Sequence, residues 1–171
     1  MMHVYLRMSI EHKLQIKQLN SSHDRASFTC GNDHLDHYLK KQAKQDMKRR
    51  ICRVYCITQN ASPADILGFY TLSSLSIDLG ELTPDIQRKL PRHPIPAALI
   101  GRLAVKTEAQ GLGIGKIMLA NAIWRTLKIS DEIGIYAMVV DAINESASRF
   151  YQQFGFTTLT TNSRLFLPLP K

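Results

Sequence analysis

Acidic residues are in short supply in this chain: 14 Asp and Glu face 22 Lys and Arg, a formal charge of +8. That excess disfavours a cationic ligand and admits an anionic one, without choosing between nucleic acid, a phosphorylated cofactor and an acidic protein. Cysteine is scarce as well. Cys30, Cys52 and Cys56 are odd in number and lack CxxC or Cys/His ligand spacing, which argues against a metal site and fits a reduced, cytoplasmic setting. No apolar run approaches the roughly 18 residues of a membrane span. Residues 1–13 carry His3, Arg7, Glu11 and His12 where a secretion signal needs an unbroken apolar stretch. Repeats and low-complexity tracts are missing too. What remains is an ordinary globular composition, 44% apolar and 21% charged over 171 residues, suited to a single domain spanning residues 1–171.

The cations are not evenly spread. Between His37 and Arg53, seven of them (Lys40, Lys41, Lys44, Lys48, Arg49, Arg50 and Arg53) face only Asp46, which accounts for six of the eight net charges. Asn32 and Asp33 suit a helix start, as cap and as first-turn anion. Leu35, Tyr38, Leu39, Gln42 and Ala43 then recur at helical spacing, so this stripe faces a core and the lysines face outward. Such a helix is either a solvated amphipathic surface or a landing strip for a polyanion, and nothing local decides between the two.

Downstream, strands and helices alternate. Residues 53–58 (RVYCIT) read as a strand, 59–65 as a turn cluster and 66–74 as the returning strand. Thr83 and Pro84 mark a short helix start. A proline-rich stretch, 91–96, leads into the apolar strand 97–105, in which Gly101 suggests a bulge or a close backbone approach. A long helix is expected over 113–128, with Ile114, Ile117, Met118, Ala122 and Ile123 on its inner face. A buried strand follows at 134–141, then a helix from Asn144 to about Phe154 closed by Gly155. Two short strands, 156–161 and 164–167, complete an α/β (α+β) domain with a mixed sheet.

Between the 97–105 strand and the long helix lies Gln110-Gly111-Leu112-Gly113-Ile114-Gly115-Lys116. Alternating glycines at a strand-to-helix turn bring backbone N–H groups to the positive end of a helix, where the first-turn donors have no intrahelical partner. Glycine also lets a bulky anion approach the backbone. The third glycine of GxGxxG is missing, as is the GxxxxGK[ST] spacing, so neither a dinucleotide fingerprint nor a Walker loop is present. A turn gripping pyrophosphate and a merely tight turn both remain open. In the next helix, Ala147, Phe150, Tyr151 and Phe154 share one face. Tyr151 reads either as a core residue or as a proton donor to a thiolate, since phenol (pKa about 10) and thiol (about 8.5) lie close enough for transfer.

Gln110-x-x-Gly113-x-Gly115 resembles the (Arg/Gln)-x-x-Gly-x-(Gly/Ala) loop of the GNAT N-acetyltransferases. Asp141-Ala142-x-Asn144-Glu145-x-Ala147-x-x-Phe150-Tyr151-x-x-Phe154-Gly155-Phe156 is similar to that family's C-terminal helix and strand. The similarity is closer to one branch, the acetyltransferase toxins of bacterial type II toxin–antitoxin pairs. Phe28-x-Cys30-Gly31-Asn32-x-x-Leu35-Asp36-x-Tyr38-Leu39 resembles their N-terminal motif, and residues 95–105 (IPAALIGRLAV) resemble their strand before the cofactor loop.

The resemblance implies a GNAT-like α+β fold, a mixed and mostly antiparallel sheet with splayed central strands. It implies acetyl-CoA as cosubstrate, with no metal. The pyrophosphate would be held by the backbone of Gln110, Gly111, Leu112, Gly113, Ile114, Gly115 and Lys116, and the pantetheine arm by Leu103, Ala104 and Val105. Asn144 would contact the cofactor and Tyr151 would protonate the departing thiolate. It further implies acetylation of the α-amine of aminoacyl-tRNA, a cognate ribbon-helix-helix antitoxin and a homodimer. An oxyanion would find its donor on the Leu103–Val105 backbone. The motifs name no general base. On this reading Lys40, Lys41, Lys44, Lys48, Arg49 and Arg50 are candidate tRNA contacts. Two alternatives remain: an acetyltransferase of small amines or protein N-termini, and a non-enzymatic nucleic-acid module. The latter lacks any helix-turn-helix, RRM or KH pattern.

Overall fold

The structure, a computed structural model, describes residues 13–159 and 163–171. Among these, β1 (Leu14–Gln18), β2 (Arg53–Gln59), β3 (Gly68–Ile77), β4 (Ile95–Val105), β5 (Ala137–Asp141), β6 (Thr157–Thr158) and β7 (Arg164–Pro168) form one sheet ordered β1-β2-β3-β4-β5-β7-β6. β1 runs antiparallel to β2 and β5 parallel to β4, while β7 is antiparallel to both β5 and β6. The expected mixed α+β architecture is present. The chain divides into two compact units, residues 1–71 with 103–120 and residues 72–102 with 121–171.

In the first unit, the side-chain oxygen of Asn32 accepts the His34 and Leu35 amides and starts α1 (Asp33–His37), as its sequence position suggested. The helix does not continue as a plain α-helix. Tyr38–Gln42 form a π turn, closed by the Ala43 amide on the Tyr38 carbonyl, before α2 (Ala43–Lys48) resumes. The wider turn corrects one expectation: Tyr38, Leu39 and Ala43 are buried, but Gln42 points to solvent. Packing on the aromatic core holds the turn in place. Tyr38 stacks on Phe69 with centroids 6.3 Å apart, and Phe28 meets the same ring edge-on at 5.5 Å. Val54, Cys56, Ile66 and Ala104 complete this core.

A close backbone approach is made at Gly68, the first residue of β3. A Cβ there would lie 2.7 Å from Met118 Cε and 2.9 Å from the Ala104 carbonyl oxygen. Met118 belongs to α4 (Ile114–Ser130), whose buried positions Ile114, Met118, Leu119, Ala122 and Thr126 follow the helical repeat.

The second unit is centred on β5, whose residues Ala137, Met138, Val139 and Val140 are fully buried. A continuous apolar run suits a strand with neighbours on both edges and both faces covered. Its pairing with β4 covers Ala97–Ile100 against Ala137–Val140 and goes no further, although β4 continues to Val105. Ile77, Leu82, Ile95, Leu159 and Phe166 pack around Val139. Several boundaries differ from the sequence reading. β5 begins at Ala137 rather than residue 134, and β4 takes in Ile95 and Pro96. A 3₁₀ turn, Leu79–Glu81, precedes α3 (Pro84–Gln87), where Thr83 holds the cap position without a side-chain hydrogen bond. α5 (Glu145–Gln152) ends two residues before Phe154, and Gly155 follows with φ +91°. Residues 1–12 and 160–161, which the sequence reading also covered, lie outside the described residues.

Gly68→Ala has no room for its methyl against a backbone carbonyl, and is expected to destabilise the protein by about 1–3 kcal/mol, measured by urea denaturation.

Candidate active site

The glycine loop sits in the first unit and is braced from outside itself. Gln110 Nε2 donates to the Cys30 carbonyl at 2.9 Å and to the Val105 carbonyl at 3.0 Å. Its side chain is therefore spent on holding the loop, and anion binding falls to backbone groups. The Thr107 amide and hydroxyl both reach the Thr29 carbonyl, at 2.9 and 3.2 Å. Residues 29 and 30 are in turn held by the buried Asp36, which accepts from the Cys30 amide at 2.8 Å and from the Thr29 hydroxyl at 3.0 Å. Burial opposes ionisation of this carboxyl, but those hydrogen bonds and Lys40 leave it below its ordinary pKa. Sequence reasoning placed Asp36 in a motif without seeing this role, because its partners come from residues folded back across the helix start.

Gly111 and Gly113 have φ of +78° and +84°, with open space where a Cβ would stand. They are glycines because the backbone turns left-handed, a different reason from keeping side chains away from an anion. Ile114 opens α4, and the Ile117 amide is bonded to the Gly113 carbonyl. The amides of Ile114, Gly115 and Lys116 thus precede the first intrahelical donor and form the positive end of a 17-residue helix. Nearby Lys106 is not available for an anion: it pairs with Asp65 at 2.8 Å, which raises its pKa.

Lys41, Lys44, Lys48, Arg49 and Arg50 are exposed and Lys40 is half-buried. None of the six forms an ion pair among the described residues. Arg50 takes a left-handed conformation, φ +61°, just past the end of α2. Arg53 donates to the Met47 carbonyl at 3.1 Å and so helps close that helix.

In the second unit, Asn144 caps α5 by accepting the Ala147 amide at 2.8 Å, and it borders a cleft of about 370 Å³ with Ser148 and Thr158. Tyr151 lies seven residues further along the same helix face. Its ring is buried against Phe150 and Phe156, at 5.2 and 5.7 Å. Burial, reinforced by the Asp141 carboxylate, pushes its phenol up to about 12. Among the described residues its hydroxyl has no hydrogen-bond partner. Asp141 itself pairs with Arg164 at 2.8 Å across β5 and β7.

Residues 64–158, which include the loop, Asn144 and Tyr151, match the acetyltransferase (GNAT) domain family. The chain belongs to the GNAT acetyltransferases. Among relatives of this GNAT chain, the tRNA-acetylating toxin of Mycobacterium tuberculosis is 32% identical over 85% of this chain and 86% of that protein. The probable toxin TacT of Sinorhizobium fredii is 34% identical over 86% of each. A crystal structure of a KacT variant superposes with a TM-score of 0.86 at 31% identity, covering 92% of this chain and 95% of its own. AtaT complexed with acetyl-methionyl-tRNA gives 0.84 at 31%, covering 91% and 94%. All three cysteines of this GNAT chain are free, and burial raises Cys30 to about 11 and Cys56 to about 12, far from a nucleophilic thiolate.

Because strain and not crowding fixes Gly113, Gly113→Val is expected to lose about 1–2 kcal/mol, and Gly113→Asn, which tolerates the left-handed region, to lose less. Chemical denaturation of both variants checks the order.

Proposed function

We propose that this chain, acting as a single domain, transfers acetyl from acetyl-CoA to the α-amine of aminoacyl-tRNA, as the toxin of a toxin–antitoxin pair. The observation that carries the reading is the pairing of a backbone anion cradle at Gly111–Lys116 with a separate cationic face, Lys40 to Arg50, whose cations form no ion pair among the described residues. The cosubstrate's phosphates account for the cradle and leave the cationic face to a second, larger anion. The toxins among the relatives, and AtaT with its acetylated tRNA, support tRNA as that anion.

Acetyl-CoA supplies the acetyl group as a thioester. The amides of Ile114, Gly115 and Lys116 and the turns at Gly111 and Gly113 receive its pyrophosphate, and the Leu103–Val105 segment, beyond the last β5 pair, receives the pantetheine arm. An amide of that segment stabilises the tetrahedral oxyanion. Asn144 contacts the cofactor while its side-chain oxygen holds the helix cap. Tyr151 keeps its proton at neutral pH and delivers it from Oη to the departing sulfur, and the proton that the attacking amine sheds to water restores the strongly basic phenolate. An α-amine with a pKa of about 7.7–8.0, lowered by the neighbouring ester, is sufficiently neutral to attack without a strong base.

The antitoxin is a ribbon-helix-helix protein whose acidic segment competes for the cationic face. AtaT bound to the C-terminus of its antitoxin AtaR, and a complex of KacTA with DNA, are in keeping with such a partner. The chain works in the cytoplasm as a homodimer. Among the described residues no helix is long and apolar enough to cross a membrane.

Labelled acetyl-CoA incubated with charged total tRNA should label the aminoacyl group, and labelling of free amines or proteins alone would refute the reading. Tyr151→Phe keeps the ring packing and is expected to lower kcat by about 10²–10⁴-fold with acetyl-CoA affinity unchanged. With the phenol raised to about 12, its protonated form persists far above neutrality. The rate should therefore rise through the amine pKa and show no alkaline fall between roughly pH 9 and 11. Each Lys→Gln change at Lys40, Lys41, Lys44 or Lys48 should weaken tRNA binding and flatten its log–log salt slope by about one.

A further inference from the structure

The loop at residues 19–26 faces the π turn and α2 across a cleft within the first unit. Two adjoining hollows, of about 340 and 390 Å³, have His23 and Arg25 in common and are together called the groove. Arg25 ties the groove together. Its Nη1 donates to the carbonyls of Lys40 at 3.2 Å and Leu39 at 3.5 Å, both within the π turn. The loop is set by local bonds: Asp24 accepts from the Ser27 hydroxyl and from the Ala26 amide, and Asn20 accepts from Ser22.

The groove has two chemistries side by side. One wall is apolar, from Leu19 and Met47, next to the ring of His23. His23 Nδ1 accepts the Asn20 amide at 3.1 Å, so the neutral ring carries its proton on Nε2. Burial first, and Lys17 in addition, lower the pKa of that ring against the opposing backbone bond to Asn20. The other side carries Lys44 in the first hollow and Lys40 and Lys41 in the second. Asp24 also borders the second hollow, with its carboxylate already engaged by Ser27 and Ala26.

We propose that this groove is a seat for one unpaired nucleotide of the tRNA, its base against Leu19, Met47 and the His23 ring and its phosphates on Lys40, Lys41 and Lys44. A duplex backbone tracks a flat cationic surface and has no use for an apolar recess. An unstacked base has a hydrophobic face and polar edges, and is recognised by stacking, with lysines on the flanking phosphates. A recess of this size is within the range of small-ligand sites. An acidic peptide would be served by the lysines alone. The inference rests on tRNA as substrate, and it adds which part of the tRNA this surface reads.

The test compares fluorescein-labelled single-stranded RNA with a blunt RNA duplex of equal charge, by anisotropy, on wild type and on Met47→Gln, Met47→Leu and Lys44→Gln. Met47→Gln leaves charge unchanged, so it is expected to weaken single-strand binding by about tenfold or more, the scale of one lost stacking contact. It should leave duplex binding and the salt slope as they were, and Met47→Leu should restore single-strand binding. Lys44→Gln should weaken both RNAs and reduce the slope by about one. In turnover assays Met47→Gln should raise KM for charged tRNA with kcat and the acetyl-CoA KM unaltered. Equal effects of Met47→Gln on both RNAs, or none on either, would overturn the seat, as would weakened binding of a poly-glutamate peptide with RNA binding unchanged. If charged tRNA is acetylated normally by Met47→Gln, the seat fails while the proposed reaction stands. Discriminating RNA binding without acetylation would sink the reaction and keep the seat.

Discussion

The side-chain amide of Gln110 is the junction on which the cofactor loop depends. With two donors it joins the carbonyl of Cys30, from the N-terminal motif, to that of Val105, at the end of β4. Neither carbonyl lies near the other in sequence, so their spacing is a product of the fold. Asp36 then fixes the Cys30 side of the junction, and the Phe28–Phe69–Tyr38 cluster fixes the helix that carries Asp36. The chain of support runs from aromatic packing, through a buried carboxylate, to an amide, and ends at glycines whose backbone presents donors to an anion. A net hydrogen bond contributes only about 0.5–1.5 kcal/mol, but a buried carboxylate stripped of its donors costs more, so the Asp36 link is the one that is difficult to exchange.

The sequence showed the loop, the cap at Asn32, the cap at Asn144 and the aromatic face around Tyr151 because each is local. Capping residues and glycines act within a few positions, and an apolar face repeats every three to four residues. The π turn was not legible. Its signature is one extra residue accommodated by Arg25, thirteen positions before Tyr38, and no periodicity reports a partner of that kind. The strand boundaries at 95 and 137 shifted for a similar reason. Pro96 is disfavoured by propensity, and Ile135 and Tyr136 are not, but sheet pairing decided both. The reason for Gly111 and Gly113 was not legible either, since a sequence does not say whether a glycine answers to crowding or to a positive φ.

Charge divides along the same line. Lys106 and Arg164 are bound into ion pairs that hold structure, Arg53 closes a helix end, and Arg25 meets two carbonyls. The six cations from Lys40 to Arg50 form no ion pair among the described residues. A formal charge of +8 is therefore made of two populations, one spent within the fold and one left to meet another molecule.

The π turn sets the azimuth of everything after it. Each residue of an α-helix advances the side-chain direction by about 100°. The additional residue in Tyr38–Gln42 thus offsets Lys44 and Lys48 from the direction that an unbroken helix starting at Asn32 would give them. Insertions or deletions inside this turn would act as a rotary dial. They would re-aim the cations of α2 around the helix axis while leaving the composition, the net charge and the cap at Asn32 almost as they are. Two chains equally rich in lysine here would present that charge in different directions if this one turn differed in length.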